Sequence, residues 1–75
     1  MSPAARLSLW MSDEVDLLKH YVDVGDRWSA GYHVGRISGH LGATYFDGRD
    51  AEWDAHLATL DEWVKVVHAM PMESA

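Results

Sequence analysis

Seventy-five residues with a net charge of −6, 48% apolar side chains, four tryptophans and no cysteine describe one small domain with a packed core. At this length a single core leaves little stability to spare. The lack of cysteine excludes a disulfide framework and a thiolate metal site, and no run approaches the roughly 18 apolar residues of a membrane span.

The first stretch, Met1 to Met11, has one Arg and a short broken apolar patch, a poor match to a signal peptide. The expectation is an intracellular protein in a reducing compartment. Within this stretch Leu7-Ser-Leu-Trp-Met11 alternates weakly and reads as a short strand.

Residues 12–26 read as a helix. Ser12 is placed to cap it, Asp13 and Glu14 suit the positive end of its dipole, and Gly25 suits its C′ position. Val15, Leu18, Tyr21 and Val22 form one buried stripe, with Asp13, Asp16, Lys19, His20 and Asp23 on the opposite side.

Residues 28–46 admit two readings. Val34, Ile37, Leu41 and Tyr45 keep helical spacing, but Gly31, Gly35, Gly39 and Gly42 would each cost a helix about 1 kcal/mol against alanine. The alternation of Trp28, Ala30, Tyr32 and Val34, and of Leu41, Ala43 and Tyr45, favours a hairpin turning at Ser38-Gly39. Val34 would then oppose Ala43 and Tyr32 would oppose Tyr45, with the aromatic side buried. Gly35 and Gly42 would fall on the outer face, where glycines mark either twist or close approach by another backbone.

Residues 50–70 read as the longest helix. Asp47-Gly48 signals a turn and Asp50 is placed as an N-cap. Trp53, Leu57, Leu60, Val64 and Val67 make an apolar seam widened by Trp63, Val66 and Met70. Pro71 ends the helix, and 71–75 read as a flexible tail. The order β-α-β-β-α predicts an α+β fold over a single domain, 1–75, with two helices packed on a short antiparallel sheet.

The five histidines form neither an H-x-x-x-H pair nor an H-E-x-x-H motif, and no serine sits in a nucleophile elbow. Asp16, His20 and Asp23 share a helix side, as a solvated face commonly does. The expectation is no metal, no cofactor and no catalytic set.

Trp10, Trp28 and Trp53, with Ile37-Ser-Gly-His-Leu-Gly-Ala-Thr44 between the last two, resemble the tryptophan ladder of Myb/SANT domains over about residues 10–60. That resemblance implies a three-helix DNA-binding regulator. Against it, Ser29–Arg36 is an extra segment, and the would-be recognition helix carries Asp50, Glu52, Asp54 and Asp61.

Charge supplies the favoured reading. Residues 12–26 hold five acids and one Lys, and residues 50–75 hold six acids and one Lys. Asp13, Glu14, Asp16 and Asp23 form one acidic row, and Glu52, Asp54, Asp61 and Glu62 a second. In size, acidity and lack of a catalytic motif the chain is similar to small phage-borne inhibitors such as the anti-CRISPR proteins, which share no common motif. That similarity of type implies a non-enzymatic nucleic-acid mimic in the cytoplasm of a bacterial host. It would cover a basic surface of a nucleic-acid-handling complex without binding nucleic acid or membrane itself. A small structural or regulatory subunit is the alternative, and the oligomeric state stays open.

Overall fold

A computed structural model of the chain describes residues 2–48 and 51–72, with the side chains of 45–48 outside that description. It contains α1 (Pro3–Asp23), α2 (Arg27–Gly48) and α3 (Ala51–Ala69), and no strand among the described residues. The expected α+β fold is therefore corrected to an all-α bundle. Helices of 21, 22 and 19 residues are each about 28–33 Å long. A body of 43 × 18 × 16 Å holds them only if they run side by side along its length.

The segment expected as a first strand, Leu7–Met11, lies inside α1, and the cap is Ser2 rather than Ser12. Ser2 Oγ accepts from the Ala5 amide at 3.1 Å and Pro3 opens the helix, where its missing N–H costs nothing. Gly25 ends α1 as anticipated. Its φ of 74° is left-handed, and two reversed bonds, Asp26 N to Tyr21 O at 2.9 Å and Gly25 N to Val22 O at 3.1 Å, close a Schellman turn. Asp26 then caps the next helix. It accepts from Ser29 N at 3.0 Å and from Ser29 Oγ at 2.6 Å, so a single residue completes one helix end and starts the other.

The expected hairpin is a continuous helix. In α2, Ala30, Val34, Ile37 and Leu41 step 4, 3, 4 and fall within an arc of about 60°. Ala30, Ile37 and Leu41 are buried and Val34 packs against them. Both other helices pack on α2, so its apolar stripe meets Met11 and Leu18 of α1 and Trp53, Leu60 and Val67 of α3 in one core. A hairpin would turn Ile37 outward. The helix buries it, contributing about 1.5–3 kcal/mol, and sets it with Leu41 against Met11, Leu18, Trp53 and Leu60 in one core that offsets the glycine cost of about 4 kcal/mol.

Trp28 and Tyr32, expected inside, are 76% and 54% exposed. The α3 seam is as anticipated: Trp53, Leu60 and Val67 are buried at seven-residue intervals, Leu57 and Val64 lie between them, and the helix stops before Pro71. Val66 is exposed rather than part of the seam. Asp50 and residues 73–75 lie outside the described residues.

Candidate interaction surfaces

The acidic rows divide. On α1, Asp13, Asp16 and Asp23 are exposed within an arc of about 80°, opposite the core, together with Lys19 and His20. Glu14 leaves that row. It is 5% exposed and occupies a core position between Met11 and Leu18. Its Oε2 meets His33 Nδ1 at 2.7 Å, and its Oε1 accepts from Arg36 Nε at 2.9 Å. A buried carboxylate persists because both oxygens are satisfied by these partners. Arg36 also pairs with the Tyr32 side chain, and Tyr32 and then Glu14 push its pKa above the ordinary guanidinium value. It stays charged at every working pH.

On α3, Asp54 and Asp61 are exposed seven residues apart on one side, and Glu62 pairs with Lys65 at 3.2 Å. Glu52 points elsewhere. It accepts from Ser8 Oγ, which also lies 3.2 Å from His56 Nε2. Ser8, Glu52 and His56 thus clip α1 to α3, a grouping the sequence reading missed because 44 and 48 residues separate the partners. Ser8 Oγ stands between the Glu52 carboxylate and the His56 ring, so one hydroxyl of α1 bridges two polar side chains of α3. No group of three or more His, Asp or Glu among the described residues could hold a metal.

A chain of rings links surface to core on the α1–α2 seam. Exposed Trp28 stacks on Tyr32 at 6.1 Å, Tyr32 meets His33 edge-on at 5.2 Å, and His33 stacks on Tyr21 at 5.4 Å. The three tryptophans of the supposed ladder have three different settings. Trp10 is half-buried with its ring tilted by 30° over His40 at 4.1 Å, Trp28 faces solvent, and Trp53 is buried with Nε1 donating to Leu41 O at 3.2 Å.

The remaining side of α2 is bare. Gly31, Gly35, Gly39 and Gly42 are all exposed, and a Cβ added at any of them would meet nothing within 4 Å. Between Arg27 and Phe46 the helix carries no carboxylate. The molecule therefore presents acid on the outsides of α1 and α3, and an uncharged aromatic and glycine side on α2. No helix among the described residues is long and apolar enough to cross a membrane. No family model, curated protein or solved structure matches the chain.

Proposed function

We propose that this chain is a non-enzymatic protein-binding module whose acidic helix faces cover a basic surface on a nucleic-acid-handling complex and keep nucleic acid out, in the cytoplasm of a bacterial host. The observation that supports it is the segregation of charge. Asp13, Asp16 and Asp23 on α1, and Asp54 and Asp61 on α3, stand at the surface, while the helix between them in sequence is acid-free through Phe46.

Magnitudes refine the reading. The α1 row has three carboxylates over about 15 Å, whereas one strand of DNA carries a charge every ~3.4 Å. The rows do not copy phosphates one for one. They steer encounter and oppose competing polyanions, and the affinity comes from side chains buried at the contact. Each exposed ion pair adds only about 0–1 kcal/mol, so single substitutions change little and whole rows matter.

The test is binding to purified nucleic-acid-handling complexes, each with and without its nucleic acid. The wild type binds the empty form, is displaced by nucleic acid, and weakens with salt because exposed charges are screened beyond about 8–10 Å. Reversal of Asp13, Asp16 and Asp23 to Lys, or of Asp54, Asp61 and Glu62 to Lys, slows association steeply in variants that stay folded. Row reversals that bind like wild type assign the charge to solubility alone. Direct, salt-sensitive binding of DNA by the wild type favours a helical DNA-binding regulator instead.

A further inference from the structure

We infer that the groove between the first half of α1 and the last half of α2 is a binding site for a small aromatic carboxylate, whose ring lies against Trp10 and His40 and whose carboxylate pairs with Arg6. This goes beyond the proposed function and does not depend on it.

The groove has a volume of about 420 Å³ and is lined, among the described residues, by Pro3, Arg6, Leu7, Trp10, His40 and Thr44. Small-molecule sites commonly enclose roughly 300–1,000 Å³. On α1 the lining residues step 3, 1 and 3, and on α2 they are four apart, so each helix gives one stripe to the groove. Leu7, Trp10, His40 and Thr44 are half-buried, while Pro3 and Arg6 form an exposed rim. The Trp10 and His40 rings, 4.1 Å apart and tilted by 30°, make an aromatic wall that spans both helices.

The polar groups left over for a ligand are mostly donors. Thr44 Oγ1 lies 3.1 Å from the His40 carbonyl and 3.2 Å from the Leu41 carbonyl, so its proton is used within its own helix. Arg6 and Trp10 carry only donors, and a neutral His40 donates from one ring nitrogen. A few donors beside an apolar, aromatic surface suit a ligand that is flat and ends in an acceptor.

Charge makes that acceptor an anion. The chain has 12 acids, yet residues 1–12 and 27–46, which supply the whole described lining, contain none. Arg36 pairs with Glu14 at 2.9 Å and Lys65 with Glu62 at 3.2 Å, whereas the Arg6 guanidinium has no ion pair or hydrogen bond among the described residues. Along the two helices the next acids are Asp13 and Asp47, each three positions beyond a lining residue. Asp13 is seven positions from Arg6, about 10 Å along α1, where salt at physiological strength screens exposed charges. Arg6 is therefore free to meet a carboxylate through its paired N–H groups.

The test is an NMR titration of the isotope-labelled chain with 1-naphthoate and, separately, with its neutral twin 1-naphthamide. Because the groove is open, the expected dissociation constant for naphthoate is on the order of 1 mM. Shifts should centre on Arg6, Leu7, the Trp10 indole N–H, His40 and Thr44. Naphthoate should bind about fivefold tighter than naphthamide, as one exposed ion pair allows. Arg6→Gln, at an exposed position, keeps the helical circular dichroism and abolishes that preference, while Lys19→Gln, which removes another exposed cation of α1, preserves it. Equal binding of the two probes by the wild type overturns the inference. So does a preference that survives Arg6→Gln or that Lys19→Gln removes as well. Shifts gathered instead at Trp28 and Tyr32, or no saturation by about 10 mM naphthoate, also overturn it.

Discussion

The Glu14 carboxylate meets His33 Nδ1 at 2.7 Å within the α1–α2 seam, at a helix position that heptad spacing reserves for an apolar side chain. With Glu14 ionised, His33 donates through Nδ1, and Arg36 Nε satisfies the other oxygen at 2.9 Å. Glu14→Ala leaves a cavity and strips two polar groups of their partner. The expected loss is about 2–4 kcal/mol, at the low end for a broken buried pair because Arg36 is half-exposed and finds water. Urea denaturation measures it, and an unchanged midpoint would show that the pair contributes nothing to stability.

Asp26 supplies a pH dependence. Hydrogen bonds from the Ser29 side chain and then the Ser29 backbone hold its carboxyl below the usual value of 3.8. A depressed carboxylate contributes stability that is fully present above the unfolded pKa and is lost as pH falls through the folded one. Thermal melts should therefore drop below about pH 4 more steeply for the wild type than for Asp26→Asn, which caps without titrating. Parallel acid limbs in the two proteins would remove Asp26 from the account.

The open glycine side makes an inverted mutational prediction. Gly39→Ala should stabilise the fold by up to about 1 kcal/mol, since the added methyl meets nothing within the chain and helix propensity improves. For a domain of this size that raises the melting temperature by roughly 4–8 °C. A lower melting temperature would mean that the backbone at Gly39 is not helical.

Burial separates residues of similar chemistry. Leu60→Ala removes a buried side chain from the α3 seam and should cost about 2–5 kcal/mol. Trp28→Ala should stay within about 0.5 kcal/mol of wild type, because its ring is largely in solvent. Equal losses at both positions would place Trp28 inside the fold.

How much of this was legible in the sequence follows from where each signal competes. The α3 seam from Trp53 to Val67 was legible because nothing opposes its period. The Gly25 end of α1 was legible because a left-handed residue there demands glycine. α2 was misread because propensity and period disagree within it. Four glycines argue against a helix one residue at a time, while Ala30, Val34, Ile37 and Leu41 argue for one only through burial against two other helices. Tertiary packing won, and the glycines were pushed to the side that nothing in the monomer covers. The same blindness hid Glu14. As an acid beside Asp13 and Asp16 it reads as surface, and its partners His33 and Arg36 lie 19 and 22 residues away. The exposed acids on α1 needed no long-range partner and were placed correctly from their spacing.

The acid-free side of α2, the Glu14 seam and the core against α1 and α3 all follow from α2 being one helix from Arg27 to Gly48. Backbone NMR of the isotope-labelled protein tests that most directly. Unbroken sequential amide contacts and helical Cα shifts from Trp28 through Thr44, including all four glycines, are the predicted result. Extended shifts on either side of Ser38-Gly39, with a cross-strand contact between Val34 and Ala43, would contradict it.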